Sequence, residues 1–252
     1  MKYLQKLVEG TWLRRYNRFL LDVRLKDSGE TVVVHCPNTG SMLGVNRPGS
    51  RCLVLAADNP HRKLRFTLEA VRVGSIWVGV HPIRANTVGR EALETGMVHG
   101  VTGITSIRAE VPYGKSSRAD LLLEMRRGPP FFVEIKSASF AQGNVSLFPD
   151  AVTERGLKHL EELRRVVREG GRALMLFVAT RDDVTSLRPA WSIDPAYARR
   201  LGEVAEEGVV VRAMTSRVTT TRMIPMAPIP VHFDPITPPE PRRARPRACP
   251  RS

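Results

Sequence analysis

Over the first third of the chain, apolar and polar residues trade places in short runs. Residues 18–25 alternate in their second half, residues 31–36 (Thr-Val-Val-Val-His-Cys) are rich in β-branched side chains, and residues 51–55 and 64–73 continue the pattern. Asp27-Ser-Gly29 and Arg47-Pro-Gly49 punctuate these runs with turn chemistry. Some five strands in residues 1–81 predict a small barrel, for which an oligonucleotide-binding (OB) fold is the natural candidate, although other small β-folds share the pattern. From His81-Pro82 onward the helical and extended periods intermix. A short helix is predicted over residues 88–97 and strands over 104–111, 119–125 and 131–135. Leu157, Leu160, Leu163, Val166 and Val167 mark a helix within 150–169, ended by Gly170-Gly171. A strand at 173–179, a helix at 195–207 and a strand at 209–213 complete an α/β domain. The last eighteen residues hold six prolines and predict a disordered or extended tail. The expected organisation is a barrel over 1–81, an α/β domain over 82–234 and a Pro/Arg-rich tail over 235–252.

Composition narrows the function classes. With 252 residues and 42% hydrophobic side chains, the chain is long enough for two cores. Its longest apolar run, residues 173–179, is too short to span a bilayer, and residues 1–10 lack the apolar stretch of a signal peptide. Cysteines at 36, 52 and 249 form neither a disulfide framework nor a zinc motif. The expectation is a cytoplasmic protein. The formal net charge is +14, and residues 1–81 alone hold thirteen basic against six acidic side chains. Such a surface points to a polyanionic partner.

Candidate chemistry concentrates in Ser117-Arg-Ala-Asp120 and Glu134-Ile-Lys136. On a strand, Glu134 and Lys136 share one face while Ile135 takes the other. With Asp120 on a neighbouring strand, two carboxylates and an ammonium would converge. That set suits Mg²⁺ or Mn²⁺ bound through oxygen, with Lys136 orienting water or offsetting charge on a phosphate. Charges alternating on a solvent-facing strand would give the same spacing, but Phe131-Phe-Val133 before Glu134 reads as a buried strand.

Several runs resemble one known family. Arg15-Tyr-Asn-Arg-Phe-Leu-Leu-Asp-Val23, His35-Cys-Pro-Asn-Thr-Gly-Ser-Met42, Glu110-Val-Pro-Tyr-Gly-Lys-Ser-Ser-Arg-Ala-Asp120, Glu134-Ile-Lys-Ser137 and Phe148-Pro-Asp-Ala-Val-Thr-Glu-Arg-Gly-Leu-Lys-His-Leu160 are similar to the sugar fermentation stimulation protein A (SfsA) family, over about residues 4–232. The resemblance implies an OB-fold domain joined to a restriction-endonuclease-like, PD-(D/E)xK nuclease-like α/β domain. It further implies Asp120 and Glu134 as metal ligands and Lys136 as catalytic base or phosphate-stabilising group. Glu91 occupies the place of the helical acid that this fold often adds, or else is a solvent-facing helix residue. Glu110 is a competing acid, more simply explained by an ion pair with a nearby Arg.

Other motifs have a functional and a plain structural explanation. Arg155 and Lys158, near a helix start, can face a nucleic-acid strand, and Arg118 beside Asp120 can join them, while Asp150 or Thr153 can serve as a helix cap. Asn38, Thr39 and Ser41 can line a nucleic-acid groove or form a tight turn. Arg14, Arg15 and Arg18 beside Tyr16 and Phe19 can grip a backbone and stack bases, or be solvated strand charges. His159 fits a buried, hydrogen-bonded side chain better than a general base. The leading expectation is a metal-dependent nuclease acting on nucleic acid, DNA favoured and RNA possible. The alternatives are a non-catalytic DNA-binding regulator of sugar-fermentation genes and an adaptor that retains an inactive fold.

Overall fold

The computed structural model describes residues 1–59, 61–113 and 117–235. The tail expectation falls outside the described residues beyond Pro235, as does Lys115 of the Glu110–Asp120 run. Strands β1 (Val8–Tyr16), β2 (Leu20–Leu25), β3 (Thr31–His35), β4 (Arg51–Ala56) and β5 (Phe66–Val73) pair antiparallel in the order β3-β2-β1-β4-β5. A short parallel contact, Val34↔Phe66 and His35↔Thr67, joins β3 to β5 and closes a five-stranded OB-like barrel. Trp12, Leu21, Val23, Val34, Val54, Leu68 and Val71 fill it. β1 is absent from the expected strands because its register shifts between Trp12 and Arg14, which breaks the period of two. β6 (Ile76–Gly79), also unforeseen, is a four-residue hairpin return from β5.

The second domain runs α1 (Pro82–Glu94), β7 (Ile104–Tyr113), β8 (Ser117–Met125), β9 (Phe131–Ala138), β10 (Ala141–Gln142), β11 (Val145–Phe148), α2 (Glu154–Arg168), β12 (Arg172–Ala179), β13 (Ser186–Pro189), α3 (Pro195–Glu206), β14 (Val210–Val218) and β15 (Met223–Ile229). Its main sheet has the order β15-β14-β12-β9-β8-β7, with β9, β12 and β14 mutually parallel. A small sheet, β10-β11-β13, lies beside it. α1 begins six residues before the expected start, at Pro82. Proline is favoured in a first helical turn, whereas the polar Arg84, Asn86 and Thr87 hide the helical period there. β15 escapes the pattern because Pro225 and Pro228 interrupt it on an edge strand.

Alternation along β12 divides two cores. Leu174, Leu176 and Val178 face α1, while Ala173, Met175 and Phe177 face α2 and α3. The α1 core also takes in Leu53 and Ala70 of the barrel, so the two domains share one apolar cluster. Two hydrogen bonds reinforce the junction: Gly79 N–H donates to the Thr180 carbonyl at 2.8 Å, and Thr180 Oγ1 donates to the Gly79 carbonyl at 2.6 Å.

α1 can approach the sheet this closely because position 89 is glycine. A Cβ there would lie 2.9 Å from Ile135 Cδ1 and 3.3 Å from Leu176 Cδ2, both in the core. Gly89→Val should therefore destabilise the protein by about 1–3 kcal/mol through overpacking. Urea denaturation measures this; unchanged stability would mean that α1 is not held at this spacing.

Candidate active site

The site lies where two strands part. β8 and β9 pair through Leu123↔Phe131, Leu122↔Phe132 and Leu121↔Val133, and there the ladder ends. β9 continues alongside β12, matching Glu134 to Met175 and Lys136 to Phe177. Beyond the fork the Ile135 N–H has lost its strand partner, and Asp120 Oδ2 accepts from it at 2.7 Å. Asp120 Oδ1 accepts from the Asn86 side-chain amide of α1 at 2.9 Å. The carboxylate is thus fixed by one backbone and one side-chain donor.

Glu134 is 2% exposed and faces α2. Its Oε1 accepts from Lys136 Nζ at 2.6 Å and pairs with His159 Nδ1. Arg155 Nε donates to His159 Nε2 at 3.3 Å, which leaves the ring proton on Nδ1 to be donated to Glu134. The other oxygen, Oε2, accepts a long 3.5 Å hydrogen bond from the Tyr113 hydroxyl, its one partner among the described residues. Among the described residues, one side of Glu134 is therefore closely bonded and the other only loosely.

The two carboxyls differ in electrostatics. Burial, and then the charge of Glu134, push the Asp120 pKa up to about 6, against the opposing pull of the Ile135 N–H, Lys136 and Asn86. Burial also pushes Glu134 up, but the His159 hydrogen bond and the Lys136 charge outweigh it and leave its pKa below the ordinary value. Burial, followed by the charge of Glu134, raises the Tyr113 phenol, which stays protonated.

Asp120, Glu134, Lys136, Asn86 and Arg155 open into a cleft of about 480 Å³, whose far wall includes Asn38 and Asp150. A second cleft of about 410 Å³ meets it at Asp120, Glu110 and Arg155 and is lined by Arg118, Lys158 and His159. Asp120, Glu134 and Lys136, expected to converge, are thus brought together, and Arg118, Arg155 and Lys158 lie around them. Thr153, rather than Asp150, caps α2, its hydroxyl accepting from Gly156 N–H at 2.9 Å.

Other residues are placed differently from expectation. Glu91 is five positions after Asn86, rotated about 140° around the helix, and points away from Asp120. It pairs instead with the Met1 amino group, so α1 contributes Asn86 to the site and not Glu91. Glu110 makes no ion pair among the described residues; Arg118 donates to its backbone carbonyl at 2.9 Å. Its φ of +53° lies between the Ala109↔Leu121 and Val111↔Ala119 pairs, opposite Asp120. Arg14 is tied to Asp22 at 2.6 Å, and Tyr16 donates to the same carboxylate at 3.0 Å. Arg15 spends its guanidinium on the carbonyls of Arg18, Asn38 and Gly40. Arg18 and Thr39 are exposed and line neither cleft. Ser41 donates towards Asp150 across the domain junction.

Asn86, Tyr113 and His159 are the site residues that spacing alone does not single out. His159 carries a signal: it shares the buried face of α2 with Leu160, Leu163 and Val166, where a polar side chain needs a partner. Asn86 carries none, because the polar run around it conceals the first turns of α1.

The donor set fits a hard divalent cation. Asp120 and the loosely bonded side of Glu134 present carboxylate oxygens, the ligands such ions favour. Among the described residues no three His, Cys, Asp or Glu side chains form a ready-made metal cage, so water or phosphate oxygens would complete the shell. Among the described residues no helix is long and apolar enough to cross a membrane.

A closed OB-type barrel joined to a restriction-endonuclease-like α/β domain, with an Asp-Glu-Lys cluster at the strand fork, defines the class. The SfsA N-terminal OB domain model matches residues 13–80, and the sugar fermentation stimulation protein RE domain model matches residues 83–222. The chain belongs to the sugar fermentation stimulation protein (SfsA) family. It is 44% identical to the sugar fermentation stimulation protein homolog of Maricaulis maris over 92% of this chain and 99% of that one. Identity to the homolog of Geobacter sulfurreducens is 47%, over 84% of this chain and 90% of the relative. The structure of Pyrococcus furiosus SfsA in complex with Ca²⁺ superposes with a TM-score of 0.81 at 28% identity, covering 92% of this chain and 98% of that chain.

The Asp120 environment has a consequence for stability. A carboxyl whose pKa is raised on folding from 3.8 to about 6 weakens the fold above that range, and the penalty vanishes below about pH 4. In Asp120→Asn, the new amide can still accept from Ile135 N–H and can donate to a flipped Asn86. Without divalent cations the variant should gain on the order of 2 kcal/mol at pH 8 and little at pH 4. Denaturation in EDTA at both pH values measures it, and a loss of stability at pH 8 would contradict the assigned environment.

Proposed function

We propose that the protein is a divalent-cation-dependent nuclease that binds nucleic acid, DNA in preference, and hydrolyses phosphodiester bonds. The observation that carries this reading is the convergence of Asp120, Glu134 and Lys136 at the β8/β9 fork, in a cleft flanked by Arg118, Arg155 and Lys158. The net charge of +14 supports a polyanionic partner. The Pyrococcus furiosus relative forms a complex with Ca²⁺, which supports a divalent ion near these carboxylates.

Asp120 and the Oε2 side of Glu134 would hold Mg²⁺ or Mn²⁺. When bound, the ion would polarise the phosphodiester and lower the pKa of a coordinated water. The chain's own groups have separate tasks. Ile135 N–H and Asn86 fix the Asp120 carboxylate in orientation. His159, oriented by Arg155, and Lys136 hold Glu134 ionised and bind its first oxygen, so that the second is the one left for an ion. Lys136 Nζ, anchored to Glu134, sits where an ammonium can position a water or offset charge growing on the phosphate oxygens. Arg118, Arg155 and Lys158 supply cations for the flanking phosphates.

The rival reading, a DNA-binding regulator without catalysis, draws on the same surface charge and on the name that the relatives carry. Incubation of labelled DNA and RNA with Mg²⁺, Mn²⁺ or EDTA separates the two. Cleavage is expected with either metal and none with EDTA. Asp120→Ala, Glu134→Ala and Lys136→Ala should each reduce the rate by about 100-fold or more. Undiminished cleavage by the two carboxylate variants would move the chemistry elsewhere, and binding without cleavage under all conditions would favour the regulator.

A further inference from the structure

One wall of the cleft is supplied by the barrel. The segment that follows β3, His35 to Met42, crosses to the α/β domain, where Ser41 Oγ lies 2.7 Å from the Asp150 carbonyl and 2.9 Å from its Oδ2. Behind the segment, Arg15 donates to the carbonyls of Asn38 at 2.7 Å and Gly40 at 3.1 Å. The segment is therefore braced from the barrel side and tied on the far side. Asn38 and Asp150 belong to the wall of the cleft that contains Asp120 and Glu134.

The cleft is small. A cleft of about 480 Å³ is the size that takes a ligand of a few hundred daltons, a nucleotide or little more. A duplex, whose major groove alone is about 12 Å wide, cannot enter a cleft of this volume whole, although the cleft is open towards solvent.

The rim adds a second, independent observation. Of the six large apolar side chains that stand exposed among the described residues, one belongs to this cleft. Ile83, 66% exposed, lines the cleft itself. Apolar side chains meet base faces only when bases are unstacked, because in a duplex the faces cover one another and only edges are presented. The neighbouring cleft beyond Asp120, with Arg118 and Arg155, offers cations to the next phosphates of the same strand.

Resting on the nuclease reading, we infer that the nucleic acid reaching Asp120 is a single DNA strand, passed along the barrel segment with its bases against Ile83 and its phosphates towards Arg155 and Arg118. The barrel segment, held by its Ser41–Asp150 tie, narrows the cleft against duplex, and Ile83 favours unpaired bases.

The test separates binding from cleavage. Affinities of the full-length protein for fluorescein-labelled single-stranded DNA and for the blunt duplex of the same sequence are measured by anisotropy in Ca²⁺, and cleavage of both in Mg²⁺ or Mn²⁺. The single strand is expected to bind at least about tenfold more tightly, a difference of about 1.4 kcal/mol. Ile83→Asp, a surface change that should leave the melting temperature unaltered, should remove most of that preference by weakening single-strand binding. Ser41→Ala should narrow it from the other side, by letting duplex bind more tightly. Equal or tighter binding of duplex by the unaltered protein, or cleavage of duplex as fast as of single strand, would overturn the inference and leave the nuclease reading standing. Single-strand preference without cleavage would uphold the inference on strand type and overturn the nuclease reading. Tighter binding of single-stranded RNA than of the DNA would overturn the choice of DNA.

Discussion

The parting of β8 from β9 after Leu121↔Val133 is the constraint on which the site depends. A backbone N–H released from a ladder inside a protein must find another acceptor, and at Ile135 that acceptor is the Asp120 carboxylate. The same fork gives the carboxylate its burial and brings it towards Glu134, whose charge raises its pKa further. Had the ladder continued, Asp120 and Glu134 would be opposed residues of an ordinary sheet with no cleft between them. Backbone topology and acid–base chemistry are set here by one missing strand contact.

Glu134 shows how the α2 side of the sheet answers the α1 side. Asp120 is held through neutral donors, Ile135 N–H and Asn86, which orient it without adding charge. Glu134 is held by an ammonium and an imidazole, with Arg155 one bond further out. The result is two carboxyls in one cleft with opposite shifts, a division of environment that chemistry with two acids commonly exploits.

Much of this is legible in the chain. Glu134 and Lys136 share a face because strands repeat every two residues, and Phe131-Phe-Val133 announces the burial of that strand. The strands of the barrel that carry β-branched runs are visible too, whereas β1 is concealed by its register shift and β6 by its brevity. The helical acid differs from expectation for a geometric reason: Glu91 is a candidate by sequence position, but a helix beginning at Pro82 turns Asn86, not Glu91, towards Asp120. The basic residues of the barrel illustrate a different limit. Arg14 and Arg15 look like free cations in a sequence, and only the fold shows that one is matched to Asp22 and the other is committed to three carbonyl oxygens.

The two family matches meet between residues 80 and 83, yet the apolar cluster runs through that point, joining Leu53 and Ala70 to Val88, Ile135 and Leu176. That boundary does not divide the apolar core. Separating the halves there would uncover the barrel's outer apolar residues on one piece and the α1 layer on the other, so neither half is a portable module. An exchange of only one of them would have to rebuild a core as well as a linker.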